Sequence, residues 1–334
     1  MHIPDGMLSN AVAASTDVSA LGFIAYGTYW IKKYFDQKKI VLMAVLGALI
    51  FALQMLNFPV AGGTSGHFAG GALAGIVLGP IPAMIVVSAV LLVQSLLFSD
   101  GGVLALGANI INMAILAPFI GYSIFMIFNG IRANKTLRVT GASIAGWVAC
   151  LVAACAAAIE VWASGHAALG IVLTSMAGWH ALIGIGEGLI TGGIIAYLLA
   201  VRPDLIEAIA TNDAASQSQR PIRPVIITLT ILALVAASGS FLASSNPDGL
   251  EFVYFNSKVG KPFAETSLLG KGSLFAGYGV RGISNDALAG ALAGIVGLAV
   301  TGLLLWVLFA RHKKNAVISQ NEPAHLDHTS NSDS

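Results

Sequence analysis

The sequence predicts an all-α fold, a polytopic integral membrane helical bundle. About seven spans plus two more are expected, with an extracytoplasmic amino terminus. Three observations predict it. Only 10% of the 334 residues are charged and 56% are hydrophobic, whereas a soluble domain carries about 25% charged residues. Apolar runs long enough to cross a bilayer recur along most of the chain, and the alternating strands of a membrane barrel are absent. Basic clusters follow the first, fifth, seventh and ninth runs, which puts them on one side of the membrane. The formal net charge of +1 gives no reason to expect a nucleic-acid partner.

The chain opens with Met1-His2-Ile3-Pro4-Asp5-Gly6-Met7-Leu8-Ser9. These residues have no basic flank and are not a secretory signal peptide. His2 is too large for efficient removal of the initiator methionine, so Met1 is expected to stay, with a free α-amine. The Met1 amine, the His2 backbone nitrogen and the His2 imidazole can then close two small rings on one metal. Three coplanar nitrogens with one open corner suit Ni(II) or Cu(II) better than tetrahedral Zn(II). Pro4 stiffens the chain and Asp5-Gly6 reads as a turn that holds the terminus in one pose. The bland alternative is a frayed terminus with an accidental histidine.

The first span covers about Ala11 to Trp30, followed by Lys32, Lys33, Lys38 and Lys39. The second runs from about Ile40 to Phe58. The stretch Pro59 to His67 is glycine-rich, and its glycines permit tight backbone paths around His67. Thr64 and Ser65 offer hydrogen bonds that would orient that imidazole. The third run, Phe68 to Leu78, ends at Gly79-Pro80-Ile81-Pro82. The fourth covers Ala83 to Phe98, and Ser99-Asp100-Gly101-Gly102 is a turn. The fifth, Asn109 to Phe128, precedes Arg132, Lys135 and Arg138. The sixth runs from Val139 to Trp162, and Ser164-Gly165-His166 is a short loop. The seventh run, Ala168 to Val201, is too long for one span and suggests a short re-entrant or interfacial piece before it.

Residues 202–224 read as a cytoplasmic linker. An eighth span, Val225 to Ala243, leads to an outer segment from Ser244 to about Asp286, and a ninth span covers Ala287 to Phe309. Arg311, Lys313 and Lys314 return the chain to the cytoplasm. The polar stretch 313–334, with His325 and His328, reads as a disordered tail. On this topology the terminus, His67, the Asp100 turn and His166 share the outer face.

Gly71, Gly75 and Gly79, and likewise Gly184, Gly188 and Gly192, line single helix faces and allow close packing in lipid. A face sliding on a partner subunit is the functional variant of that reading. Glu187 is an ionisable group within a span and a functional candidate by default. Gln94, Asn109, Asn112 and His180 are intramembrane or interfacial. Asn109 and Asn112 are three apart and should share a face, so a polar packing network is the competing reading. Cys150 and Cys155 read as buried thiols. Gly270-Lys271-Gly272-Ser273 lacks the upstream glycine spacing of a phosphate loop, so the chain is not expected to hydrolyse ATP, and no nucleophile–base pairing suggests an enzyme.

Met1 to Gly6, Gly63-Thr64-Ser65-Gly66-His67, and Gly178-Trp179-His180 through Glu187-Gly188 together resemble the CbiM/NikM family. These are substrate-capturing membrane subunits of energy-coupling factor transporters for cobalt and nickel. The resemblance covers about residues 1–201. Pro247-Asp248-Gly249-Leu250-Glu251 resembles the small N component, over about residues 225–312. The resemblance implies metal ligation by Met1, His2 and His67; Asp5, Thr64, Ser65, Asn109, Asn112, His180 and Glu187 are the residues expected to support that site or its loops. It implies a cytoplasmic ATPase, a coupling transmembrane subunit and a prokaryotic cytoplasmic membrane. It implies transported metal rather than a resident cofactor. Ile3-Pro4-Asp5-Gly6 is closer to the nickel branch, with Co(II) as the alternative. A stand-alone secondary transporter or a membrane metalloenzyme are the competing classes.

Overall fold

Helices built almost wholly from apolar residues surround a threaded amino terminus in the computed structural model, which describes residues 1–34, 39–131, 134–206, 221–239, 243–256 and 273–320. Lys38, Arg132, the linker residues 207–220, Gly270-Lys271-Gly272 and the two tail histidines lie outside the described residues. The elements are α1 (Asn10–Tyr34), α2 (Ile40–Gln54), β1 (Asn57–Val60), β2 (Thr64–His67), α3 (Gly71–Leu78) and α4 (Pro80–Phe98). They continue as α5 (Leu106–Ile131), α6 (Lys135–Ala163), α7 (Leu169–Val201), α8 (Arg223–Ser238) and α9 (Asp286–Gln320).

Among the described residues, α4, α5, α6, α7 and the Asp286–Phe309 part of α9 are long and apolar enough to cross a membrane, while α2 and α8 are shorter apolar helices. The α1 helix has 25 residues but carries Ser15, Thr16, Asp17 and Ser19. The third run is not a full span. Gly70, with φ 77°, and Gly79, with φ 83°, bound an eight-residue helix whose every residue is buried. At 1.5 Å per residue it is about 12 Å long, against about 30 Å of hydrocarbon. Pro80 opens α4, where a backbone N–H would have no intrahelical partner and its absence costs nothing. The seventh run holds no separate re-entrant piece, because α7 is continuous over 33 residues. The α9 backbone also stays helical to Gln320, past the expected start of the tail.

Five of the six glycines on these two faces are spent on packing within the chain, and Gly79 meets no neighbour. A Cβ on Gly71 or Gly75 would strike Met113, Ala117 or Pro118 of α5, and one on Gly184, Gly188 or Gly192 would strike Trp147 or Ser143 of α6. Small residues therefore bring these backbones together as in other membrane bundles, and the sliding-face reading gains nothing. The α6 helix buries a row of alanines, including Ala142, Ala145, Ala149 and Ala153, and Ala149 packs with Ala72 of α3 and Ala117 of α5. Helices α8 and α9 dock on α2. There Gly297 leaves room for Phe51 and Phe98, and Gly47 for Leu305.

The glycine-rich stretch before α3 is a hairpin. β1 pairs antiparallel with β2, Asn57 opposite His67 and Val60 opposite Thr64. Gly62 and Gly63, with φ 85° and 88°, supply the turn.

Candidate metal centre

The amino terminus is fixed rather than frayed. Ile3 is fully buried, and Asn109 holds its peptide group twice: Oδ1 accepts from the Ile3 N–H at 2.8 Å, and Nδ2 donates to the Ile3 carbonyl at 3.1 Å. Gly102 N–H also donates to that carbonyl, at 2.8 Å. Asp5 Oδ1 accepts from Leu104 N–H at 2.8 Å, and Gly6, with φ 91°, turns the chain into α1. These bonds join the first six residues to the α4–α5 connection and the first turn of α5, and Met1 and His2 are only 6% and 7% exposed.

His67 closes β2 against this terminus. Its Nε2 lies 2.6 Å from the Met1 nitrogen, and its ring stacks on that of His2 with centroids 4.9 Å apart and planes 18° from parallel. Nδ1 faces the Phe68 carbonyl at 3.4 Å, so a tautomer protonated there turns the Nε2 lone pair toward Met1. The loop after His67 is clamped from α7. Glu187 accepts from the N–H groups of Ala69 and Gly70 at 2.6 and 2.9 Å. Gln54 Nε2 donates to the Ala69 carbonyl at 2.6 Å. The intramembrane carboxylate is thus spent on placing a loop.

The segment Pro247 to Glu251 meets the site directly, and each of its five residues has a physical task. The Pro247 carbonyl accepts from Ser65 N–H at 2.9 Å and from the Thr64 hydroxyl at 3.2 Å, while the Ser65 hydroxyl donates to the Asn246 carbonyl at 2.8 Å. Asp248 Oδ2 pairs with the Met1 ammonium and lies 3.9 Å from His67 Nε2. Asp248 Oδ1 accepts from Glu251 N–H at 2.9 Å, and Glu251 returns the bond to Asp248 N–H at 3.2 Å, a capping box on a single helical turn. Leu250 is fully buried. Gly249 has no room for a side chain: a Cβ would lie 2.6 Å from Ile183 and 2.8 Å from His180. Gly249→Ala is therefore expected to destabilise the protein by about 1–3 kcal/mol through overpacking. Thermal unfolding in detergent measures this, and an unchanged midpoint would contradict the packing argument.

A second arm from the same region reaches His2. The Tyr278 hydroxyl donates to Asp100 Oδ2 at 2.5 Å and accepts from Gln94 Nε2 at 3.1 Å. Asp100 Oδ1 faces His2 Nδ1 at 3.1 Å.

Burial lowers the pKa of His2, with Asp100 opposing it. Burial, reinforced by the terminal amine and His2, takes His67 well below the usual imidazole range. Both rings are therefore neutral at pH 7 and can offer lone pairs. Burial pushes Asp248 up, but the terminal amine and His67 outweigh it and hold the carboxyl well below the usual carboxylate range.

Among the described residues, no group of three or more His, Cys, Asp or Glu side chains could hold a metal. The donors gathered here are two imidazoles and a backbone terminus, an arrangement a side-chain inventory misses. A small cavity touching Met1, His67, Asp248, His180, Ile183 and Cys150 adjoins them.

Of the residues expected to support the site, Asp5, Thr64, Ser65, Asn109 and Glu187 bond the segments that carry Met1, His2 and His67. His180 packs at Gly249, with Nδ1 on the Met176 carbonyl at 2.9 Å. Asn112 lies elsewhere: it donates to Glu160 at 2.7 Å. A wide π-helical stretch, Ile110–Leu116, intervenes and breaks the three-residue spacing that would align Asn109 with Asn112. Cys150 is buried, but Cys155 is only half-buried. Sequence reasoning treated Asp100 only as part of a turn and Asp248 only as part of a motif, and missed Tyr278 and Gln54. A signal for Asp248 exists: Pro-Asp-Gly occurs at residues 4–6 and again at 247–249.

Residues 2–205 match the family model of the cobalt uptake substrate-specific transmembrane region, CbiM, and residues 223–314 match the PDGLE domain. A putative fused nickel transport protein NikMN of Archaeoglobus fulgidus is 36% identical over 319 residues, 95% of this chain and 100% of the relative. The fused nickel transport protein NikMN of Rhodobacter capsulatus is 31% identical over 71% of this chain and 73% of its own length. The cobalt transport protein CbiM of Acetoanaerobium sticklandii is 36% identical over 60% of this chain and 84% of its own. The crystal structure of a truncated transition metal transporter superposes with a TM-score of 0.55 at 36% identity, covering 60% of this chain and 99% of that one.

Proposed function

The chain belongs to the CbiM family of cobalt uptake substrate-specific transmembrane proteins, joined to a PDGLE-type domain, and from that premise we propose that it captures Ni(II) for an energy-coupling factor importer. It is a multi-pass membrane protein of the nickel and cobalt transport class. In the proposed role the Met1 amine, the His2 backbone nitrogen, the His2 imidazole and His67 hold the metal in one plane at the outer face of a prokaryotic cytoplasmic membrane.

One observation carries this reading: the Met1 nitrogen and His67 Nε2 are buried together 2.6 Å apart. Neighbouring corners of a four-nitrogen plane lie about 2.8 Å apart when metal–nitrogen bonds are about 2.0 Å. Closing the ring on His2 uses Nδ1, which here faces Asp100. Loading therefore includes a turn of the His2 imidazole away from that carboxylate, with one proton lost from the Met1 ammonium and one from the His2 amide as the metal lowers their pKa.

Four nitrogens in a plane favour Ni(II), while the affinity series places Cu(II) above it, so metal supply completes the selection. The cobalt reading is favoured by the description of the family model and by the CbiM relatives. Parallel titrations with Ni(II) and Co(II) separate the two. The secondary-transporter reading loses its main support, because Glu187 is engaged by Ala69 and Gly70 instead of offering a charged route.

Metal release to the cytoplasm is assigned to a separate ATPase and coupling subunit. The purified chain is expected to show no ATP hydrolysis above background, and cellular nickel uptake should require co-expression of those subunits. Turnover by a homogeneous preparation, or full uptake by the chain alone, would refute this.

A further inference from the structure

We propose that Asp248 is a positioning residue for metal capture: its carboxylate reaches from the second domain into the first and fixes the terminal amine beside His67. The inference rests on the proposed ligand role of Met1 and His67. It adds a route by which the PDGLE domain governs how fast the site loads.

The two oxygens of Asp248 have separate tasks. Oδ1 is engaged by the Glu251 N–H in the capping box, which fixes the carboxylate. Oδ2 is left to aim at the Met1 ammonium, with His67 Nε2 3.9 Å away. The segment that carries it cannot drift. It is bonded to β2 through Pro247 and Asn246, with a single parallel bridge between Ser65 and Asp248. Gly249 is pressed against His180 and Ile183 of α7. The strand that ends in His67 therefore also places the carboxylate that holds the amine. A four-residue span, Thr64 to His67, sets both partners of Met1.

The terminal amine lies two residues beyond the nearest backbone anchor, Ile3, which Asn109 and Gly102 tie down, and its own polar partners are His67 and Asp248. Fixing the amine removes a conformational search before the metal arrives, and preorganisation of this kind acts mainly through ordering costs. Once the chelate closes, metal bonds hold the amine and Asp248 contributes little further. Its loss should slow association and leave dissociation almost unchanged.

Asp248→Asn is the sharpest variant. The amide keeps an oxygen for Glu251 N–H and so keeps the cap, but it turns an N–H₂ group toward the amine where an acceptor stood. Glu251→Ala is the control, since it breaks the capping box and leaves Oδ2 in place. Stopped-flow mixing of Ni(II) with the full chain, native at its amino terminus, gives association rates; a chelator chase gives dissociation rates. Asp248→Asn is expected to lower the association rate about tenfold and leave dissociation within about twofold. Glu251→Ala should stay within about twofold of the parent in both.

An unchanged association rate in Asp248→Asn would overturn the proposal. So would equal slowing in Glu251→Ala, which would make the effect one of turn structure. A faster dissociation with a shifted nickel absorption spectrum would instead make Asp248 a metal ligand, which also overturns it. Failure of the parent chain to bind Ni(II) would strike the proposed function itself, a separate result from any of these.

Discussion

Adding a single residue before Met1 is expected to weaken Ni(II) binding by more than about a hundredfold. Losing a hydrogen-bond partner of a metal ligand already costs about 10–100-fold, and here a ligand itself is lost. The extension converts the α-amine to an amide, moves the free amine one residue away and changes both chelate ring sizes. It also meets a closed pocket, because Met1 is 6% exposed and its nitrogen is packed between His67 and Asp248. His2→Ala should produce a loss of similar size, since it removes another corner of the same plane. Calorimetric titration of correctly inserted protein decides it. Native affinity in the extended chain, with His2 and His67 intact, would return the terminus to the status of an ordinary chain end.

His67→Ala is expected to be as severe, at more than about a hundredfold by the same comparison, while His166→Ala should leave affinity near that of the parent. Both histidines fall on the outer face of the sequence-derived topology, and the glycine-rich framing already favours His67. Their surroundings in the structure differ. His67 ends a buried strand, stacks on His2 and faces the Met1 nitrogen. His166 sits in the turn after α6, where its backbone N–H donates to the Val161 carbonyl at 3.3 Å. Titration of both variants with Ni(II) compares them directly, and equal losses would mean that the wrong imidazole carries the metal.

The membrane class and the Met1–His2 chelate were legible because each rests on local chemistry, while His67 was joined to them by the charge-derived topology, its glycine framing and the family resemblance. Low charge and long apolar runs need no tertiary information, and a histidine at position 2 has its chelate partners within two residues. The Asn109 contact was half legible: the residue stood out as polar among apolar neighbours, but its partner Ile3 lies 106 residues away. Asp248 was hidden for the same reason, being 247 residues from Met1. The third run looked like a span because apolar composition does not report length once Gly70 and Gly79 cut the helix. The hairpin was concealed by Pro59 and by glycines that read as loop. The uninterrupted α7 was misjudged because a run of 33 residues exceeds one bilayer thickness, although tilt or protrusion accommodates a longer helix.

X-ray absorption at the nickel edge on the loaded full chain, native at its amino terminus, tests the central claim most directly. The proposed chelate predicts a four-coordinate planar site whose inner shell is nitrogen alone. Cys150 borders the adjoining cavity, so sulfur is a meaningful competitor in this measurement. A sulfur ligand, or a six-coordinate shell of oxygen, would contradict capture by Met1, His2 and His67.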